Sequence, residues 1–210
     1  MSNVFFDLDK TLITKQSQSL LLAELKQAGL LSSVRYWVLY VFFVFYKLHL
    51  VPKKILDKIY TFAAQSFKGH SVQEIDIFTK KFVEETFPKI ENQKAVDALR
   101  NHQSKTDTIV LITAAFEPMA KNAALYFNIP TYTCTKLEHK DGLYTGCVDG
   151  KPNYGHEKIE KLSGYDFTNS YGYSDHHSDI PILSKTTYPI VVNPTKSLKK
   201  TAIKQEWKIL

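Results

Sequence analysis

Short apolar runs alternate along most of the chain with segments whose apolar residues recur every three or four positions. The short runs have the length of strands, and the longer segments have the period of a helix. Strands are predicted at 3–8, 108–112, 131–135, 170–173 and 189–192, and helices at 91–102, 118–127, 156–162 and 178–184. Because strands and helices alternate in this way, we predict an α/β fold with a Rossmann-like parallel sheet that carries helices on both faces.

The stretch between the first two predicted strands has the pattern of helices only. A helix is predicted at 17–29, and apolar side chains recur at helical spacing through 52–87. An insertion of this kind leaves the sheet to the rest of the chain. We therefore predict a core formed by 1–14 and 86–210, with an all-helical cap at 15–85 inserted after the first strand.

The cap contains a run of eleven apolar residues at 36–46, and seven of them are aromatic. The run is well short of the ~20 residues that cross a bilayer. A helix that is apolar on all sides is usually buried, so a buried cap helix is the expected placement. Two alternatives stay open: the run could form a pocket wall for a hydrophobic group, or it could be a surface that rests on a membrane. The nearby Lys47, Lys53 and Lys54 would suit a membrane with anionic lipids.

Composition narrows the classes of protein that fit. The chain has 210 residues, 44% hydrophobic and 23% charged, which is typical of one globular domain with a small insertion and excludes a disordered tail or a fibre. The net charge is +6, but only Arg35 and Arg100 of the 27 basic residues are arginines, which argues against nucleic acid and leaves a lysine-rich surface or a small anionic substrate. Two cysteines and no leader-like start predict a cytoplasmic location.

Polar side chains follow the predicted strands where each of them ends, and one lysine lies in the helix before the fourth strand. They are Asp7, Asp9, Thr113, Lys158, Asp175 and Asp179. In a parallel sheet the carboxyl ends of the strands form one edge, where ligands bind. Clustered carboxylates repel each other and favour a hard cation such as Mg²⁺, while a lysine among them would attract a phosphate. One carboxylate could then attack a substrate while another handles protons.

Four segments that contain these residues resemble the four motifs of the haloacid dehalogenase superfamily of phosphohydrolases. They are FFDLDKTL at 5–12, LITA at 111–114, GHEK at 155–158 and SDHHSDIP at 174–181. The segments at 141–146 and 191–194 are similar to the subfamily IB branch that is related to phosphoserine phosphatase, whose helical cap follows the first motif. The resemblance spans most of the chain outside 30–88.

The resemblance implies a role for each catalytic residue. Asp7 would be the nucleophile that forms an aspartyl-phosphate, and Asp9 would protonate the leaving oxygen and then activate water. Thr113 and the backbone N–H of Ala114 would hold the phosphoryl oxygens, and Lys158 would neutralise the phosphate and Asp7. Lys161, one turn further along the same predicted helix, is a competitor for this last role.

The resemblance also implies a Mg²⁺ site. The ion would be held by Asp7, the backbone carbonyl of Asp9, and Asp175, with Asp179 outside the direct coordination or reaching through a water. The neighbouring His176 and the histidine after it leave a transition-metal site open, and the run from Asp175 also resembles that of the DHH phosphoesterases, although no matching set of their other motifs is found.

The substrate is only partly defined by the resemblance. Phosphoserine phosphatase binds the amino group of its substrate with an acidic residue shortly after the first motif, and the carboxylate with an arginine in its cap. Here the corresponding stretch, 15–18, reads KQSQ, and the cap arginine Arg35 lies at the edge of the aromatic run. We expect a Mg²⁺-dependent phosphomonoesterase that acts on a small or amphiphilic phosphate monoester. The alternatives are a phosphotransferase on the same fold and a non-catalytic lipid- or partner-binding module.

Overall fold

The computed structural model describes residues 1–47 and 53–210. Within these residues seven strands form one sheet in the order β4-β3-β2-β1-β5-β6-β7. All neighbouring strands are parallel except β3 and β4, which form an antiparallel hairpin. The strands are β1 (Asn3–Phe6), β2 (Thr108–Phe116), β3 (Thr131–Lys140), β4 (Leu143–Asp149), β5 (Tyr171–Ser174), β6 (Tyr188–Val191) and β7 (Lys208–Ile209).

Nine α-helices accompany the strands in the described part of the chain. Five helices lie between β1 and β2, and the first four are α1 (Ser17–Gln27), α2 (Ser33–Lys47), α3 (Lys53–Ala64) and α4 (Val72–Thr86). The later helices are α5 (Gln93–Ser104), α6 (Glu117–Tyr126), α7 (His156–Glu160), α8 (Ile180–Leu183) and α9 (Lys196–Lys204). Short 3₁₀ turns occupy Gln65–Phe67, Phe87–Lys89 and His177–Asp179. The predicted α/β fold with a mainly parallel sheet is confirmed.

Alternate residues of β1 enter different cores, which shows that both faces of the sheet are covered. Val4 and Phe6 are fully buried in the larger cluster with residues of α1, α5 and α6. Phe5 faces the other side, where Ile159 and Ile182 from the region of α7 and α8 pack against it. Side chains that alternate between two apolar layers are expected of a central strand in a doubly covered parallel sheet.

The order of the strands indicates where on the sheet a ligand would bind. β1 lies between β2 and β5, because the chain runs from β1 outward through β2, β3 and β4 and then crosses back to β5 on the other side of β1. The resulting crevice at the carboxyl ends of β1, β2 and β5 is the place where open α/β sheets bind ligands. The motif segments at 5–12, 111–114 and 174–181 all reach this edge.

Helix α2 differs from the expectation of a buried cap helix. Leu39 is buried, but Val34, Trp37, Val38 and Val41 on the opposite side are exposed. The sequence pattern could not separate the two faces, because every position of the run is apolar and no period is visible. No helix among the described residues is long and apolar enough to cross a membrane. Residues 48–52, and the side chains of Lys47, Lys53 and Lys54, lie outside the described part.

Candidate active site

Asp7 and Asp9 are brought to the sheet edge by a tight turn after β1. The backbone N–H of Asp7 still donates to the Tyr173 carbonyl of β5 at 3.0 Å, so this residue continues the strand. Lys10 then adopts a left-handed conformation with φ of 60°, and the chain turns back. The carboxylate of Asp9 accepts the backbone N–H of Ser17 at 2.7 Å, which fixes Asp9 against the start of α1.

Lys158 connects two of the carboxylates inside the protein. Its Nζ lies 2.8 Å from Oδ1 of Asp7 and 2.9 Å from Oδ2 of Asp179, and all three side chains are largely or fully buried. Ser174 donates a second hydrogen bond to the same Asp179 oxygen at 2.7 Å. Burial opposes the charge of Lys158, but Asp179 and Asp7 outweigh it and raise the pKa of the ammonium. Lys158 is therefore a fixed positive charge beside Asp7.

The other candidate lysine does not reach the carboxylates. Lys161 donates to the backbone carbonyl of Cys134 at 2.7 Å, on the side of β3. Gly155, which precedes α7 with φ of 60°, lets the chain enter the helix in a conformation that side chains rarely adopt. From the helix that follows, Lys158 reaches Asp7 and Asp179, whereas Lys161 reaches β3.

Asp175 completes the cluster from the end of β5. Its side chain is buried, and burial followed by the charge of Asp7 raises the pKa of this carboxyl to about 8. The pKa of Asp7 is raised to about 7, mainly by burial and against the attraction of Lys158. The charge of Asp7 thus disfavours the ionised form of Asp175, while Asp179 and Asp9 disfavour that of Asp7. An arrangement of this kind favours a bound cation, which would remove the cost of two buried negative charges.

Thr113 and Ala114 line the same crevice from the end of β2. Thr113 is buried, and its hydroxyl accepts the backbone N–H of Ala115 at 3.1 Å. The Asn153 side chain donates to the Thr113 carbonyl at 2.8 Å, and Thr135 donates to the Ala114 carbonyl at 2.9 Å. These bonds hold the two carbonyls toward the protein interior, so the segment has a fixed orientation at the crevice.

A cavity of about 210 Å³ extends from the charged cluster to the helices between β1 and β2. Its polar end is formed by the carboxylates, Lys158 and Thr113. Its other end is formed by apolar and aromatic side chains of α1, α2 and α3, namely Leu22, Tyr36, Leu39, Tyr40, Phe42, Phe43, Leu56, Ile59, Tyr60 and Ala63. A ligand that fills this space would place an anionic group at the sheet edge and an apolar group among the helices.

The family follows from the comparison of the sequence with family models. The model described as haloacid dehalogenase-like hydrolase matches residues 4–184, which include every residue of the charged cluster. The chain belongs to this family. Curated relatives with phosphatase names make it a haloacid dehalogenase-like phosphatase, and phosphoserine phosphatases share its fold.

Two curated relatives show how far the similarity extends along the sequence. The chain is 26% identical over 216 residues to the "Inhibition of morphological differentiation protein" of Streptomyces azureus, and the match covers 98% of this chain and 76% of the relative. It is 27% identical over 166 residues to the histidinol-phosphatase of Neisseria meningitidis serogroup C, with 74% of each chain covered.

Solved structures match the fold over nearly the whole chain. A protein of unknown function from Bordetella pertussis Tohama I superposes with a TM-score of 0.87 at 25% identity, covering 100% of this chain and 97% of the other. A phospho-aspartyl intermediate analogue of phosphoserine phosphatase superposes with a TM-score of 0.64 at 16% identity, covering 99% and 91%. At this low identity the second match shows a shared fold alone.

The sequence motifs left out several residues of this phosphatase site. Asn153 is fully buried and orients the end of β2, although it stands in a loop with no motif around it. Gln18 lines the cavity: its Oε1 accepts the Phe116 N–H at 3.2 Å, while its buried Nε2 has no hydrogen-bond partner among the described residues. Such residues could be recognised only as polar side chains at buried positions. They were missed because burial cannot be read from a single sequence.

His176 also lines the cavity, next to Asp175. Its Nδ1 lies 2.9 Å from the Ser178 hydroxyl, and the His177 ring centroid is 4.2 Å away. Burial, with His177 as a second cause, lowers the pKa of His176 to about 4, so the imidazole is neutral near pH 7. Within the described residues no three His, Cys, Asp or Glu side chains form a ready metal cluster.

Proposed function

We propose that this phosphatase is a Mg²⁺-dependent phosphomonoesterase that acts through an aspartyl-phosphate on amphiphilic phosphate monoesters. The observation that carries the proposal is the single cavity that joins the Asp7–Lys158–Asp175 cluster to an apolar wall. The charged end suits the phosphate, and the apolar end suits the rest of the substrate. We also propose the division into a core (1–14 and 86–210) and a cap (15–85), in which the cap supplies the apolar wall.

In the first step a carboxylate oxygen of Asp7 attacks phosphorus while the bond from phosphorus to the ester oxygen breaks. Lys158, 2.8 Å from Asp7, stabilises the ionised nucleophile, which burial would otherwise disfavour. Asp9 gives a proton to the leaving oxygen. Burial raises the pKa of Asp9, which supports this role because a proton is then available closer to neutral pH.

In the second step water attacks the phosphorus of the aspartyl-phosphate and Asp9 takes the proton back. Inorganic phosphate leaves and Asp7 is restored. The Thr113 hydroxyl and the Ala114 N–H are proposed to hold the phosphoryl oxygens throughout, since both residues line the cavity beside Asp7. Phosphoryl transfer depends mainly on positioning and on charge stabilisation, and a buried lysine with fixed donors provides both.

The residues fit a Mg²⁺ site formed by Asp7, the backbone carbonyl of Asp9, and Asp175. The support is the mutual repulsion of two buried carboxylates, Asp7 and Asp175, which oxygen-preferring Mg²⁺ would relieve. When bound, the ion supplies positive charge to the phosphoryl group. Asp179 already accepts hydrogen bonds from Lys158, Ser174 and Ser178, so we place it outside the direct coordination, where it anchors Lys158.

The charges that line the cavity favour an amphiphilic monoester over phosphoserine. Among the described residues that line it, Lys158 is the one lysine or arginine, and it is engaged by Asp7 and Asp179. Arg35, which could pair with an amino acid carboxylate, donates instead to the Gln65 carbonyl and lies 5.9 Å from the Phe62 ring. A carboxylate on the leaving group would have no cationic partner in this cavity, whereas an alkyl or aromatic group would contact apolar carbon.

Phosphate release from a panel of monoesters tests the proposal. The panel contains phosphoserine, histidinol phosphate and alkyl phosphates of increasing chain length below their aggregation limit, each with Mg²⁺ or EDTA. We expect turnover with Mg²⁺ only, and a kcat/KM that rises by about fourfold per methylene until the apolar end is filled. A preference for the small polar esters would contradict the substrate class, and full activity in EDTA would contradict the metal. Added acceptor alcohols would reveal a phosphotransferase by their phosphorylated products.

A further inference from the structure

The outer face of α2 is an exposed apolar stripe. It is formed by Val34, Trp37, Val38, Val41, Val44 and Phe45, each between 37% and 77% exposed. Their spacing follows one side of the helix, opposite the side chains that line the cavity. Single exposed apolar residues are ordinary, but a continuous stripe with two aromatic rings indicates a surface that binds something.

The net positive charge of the chain lies in the sequence segment that contains this stripe. Residues 26–68 contain seven lysines and arginines and one acidic residue, Asp57. The remaining residues contain 20 basic and 20 acidic side chains, so the whole net charge of +6 belongs to this segment. One of the lysines, Lys26, lies over the rings of Tyr36 and Trp37 at 4.8 and 5.2 Å. An apolar stripe within a positively charged segment matches the chemistry of an anionic lipid surface.

We propose that the outer face of α2 docks on anionic membranes, with the helix lying in the plane of the lipid headgroups. A second copy of this chain is a weaker occupant, because two segments of the same positive charge would be brought together. Aromatic and branched apolar side chains beside lysines are the usual composition of helices that lie at a membrane interface.

Docking on this face would bring the cavity close to the lipid. Leu39 and Phe42 on the inner side of α2 line the cavity, so about one helix diameter, ~10 Å, separates its apolar wall from the membrane. An enzyme held in this way would meet amphiphilic phosphates where they are concentrated. The docking proposal itself rests on the outer face and on the charge, and it holds whether or not such compounds are the substrate.

The fluorescence of Trp37 tests docking directly and without turnover. Trp37 and Trp207 are the two tryptophans of the chain, so Trp207→Phe leaves Trp37 as the single reporter. Vesicles of phosphatidylcholine with phosphatidylglycerol are expected to shift its emission to shorter wavelength, and brominated lipid is expected to quench it. Pure phosphatidylcholine should bind at least about tenfold more weakly, and salt should weaken binding to the anionic vesicles.

Sedimentation with the same vesicles tests which surface is responsible. The test variant is Trp37→Gln, Val41→Gln, Phe45→Gln, and the matched control is Ile77→Gln, Leu125→Gln, Ile203→Gln, three exposed apolar residues of α4, α6 and α9. We expect at least about a tenfold loss of binding in the test variant and parent-like binding in the control. Circular dichroism and thermal melting verify that both are folded.

Three outcomes would overturn the proposal. They are no vesicle binding by the parent, equal binding by the test variant and the parent, and a dimer in sedimentation equilibrium that the test variant abolishes. The last outcome would assign the stripe to contact between two copies. Because binding is measured without substrate, inactivity on the monoester panel together with normal vesicle binding would contradict the proposed function and leave docking intact.

Discussion

The two ends of the cavity are built by different parts of the chain and in different ways. At the charged end, Nζ of Lys158 lies 2.8 Å from a carboxylate oxygen of Asp7 and 2.9 Å from one of Asp179. At the apolar end, side chains of α1, α2 and α3 meet with few polar contacts. The residues of the proposed chemistry therefore come from strand ends and from the short helix α7, whereas the contacts proposed for the rest of the substrate come from α1, α2 and α3.

The replacement Asp7→Asn should have the largest effect, because it removes the proposed nucleophile from the charged end. We expect kcat to fall by about 10⁴-fold or more for every ester, whatever its apolar group. Steady-state phosphate release measures the loss. Asp97→Asn, an exposed carboxylate of α5, is the control and should retain parent activity. Equal activity in Asp7→Asn and parent would remove Asp7 from the mechanism.

A comparison of Lys158→Met with Lys161→Met tests whether catalysis depends on Lys158 in particular. Lys158 contacts Asp7 and Asp179, whereas Lys161 binds a backbone carbonyl of β3. We expect about a 10²- to 10³-fold loss of kcat/KM for the first variant and less than a threefold loss for the second. Similar losses in both variants would mean that the helix as a whole, and not the Lys158 charge, is what matters.

Leu39→Ala, compared with Val38→Ala, tests the apolar end on neighbouring residues of α2. Leu39 is buried and lines the cavity, while Val38 is on the outer face. For a long-chain alkyl phosphate we expect about a tenfold lower kcat/KM in Leu39→Ala, and for a short one little change, because only the long chain reaches the lost methyl groups. An equal loss on both substrates would indicate a general disturbance of the fold.

The same contrast explains how much the sequence could predict. The charged end was predictable because Asp7, Thr113 and Asp175 follow strands directly, and the carboxyl ends of parallel strands meet at one edge. The exposure of the α2 outer face was not predictable, because a run that is apolar at every position has no period from which a buried side can be inferred. Asn153 was missed for a third reason, since its hydrogen bond to the Thr113 carbonyl, 40 residues earlier, exists only after folding.

β7 and the end of β2 show the same limits within the sheet. Lys208–Ile209 is a strand only through its pairing with β6, and two residues carry no pattern of their own. β2 continues to Phe116, four residues past its predicted end, through Thr113 and the small residues Ala114 and Ala115. Its register with β3 shifts between Ile112 and Phe116, at the segment that faces the crevice. Such an irregularity depends on neighbouring strands and on the bonds from Asn153 and Thr135.

The smallest expected effect is on the free energy of unfolding, and it comes from the repulsion between Asp175 and Asp7 at the charged end. The pKa of Asp175 in the folded protein, about 8, is above its ordinary value of 3.8, so folding favours the protonated form. The metal-free protein should therefore lose stability as pH rises from about 4 to about 8. Asp175→Asn removes this loss, and in EDTA at pH 8 we expect its free energy of unfolding to exceed the parent's by on the order of 2 kcal/mol.

Thermal melting at pH 5 and pH 8, with EDTA or Mg²⁺, measures this difference. A gain of that size corresponds to a Tm about 4–8 °C higher for a chain of this length. The gain should shrink at pH 5, where most of the repulsion is already relieved by protonation, and Mg²⁺ at pH 8 should stabilise the parent but not the variant. A variant that is less stable than the parent in EDTA at pH 8 would mean that Asp175 has a favourable partner in the metal-free fold. The repulsion between Asp7 and Asp175 would then no longer support a cation at this end of the cavity.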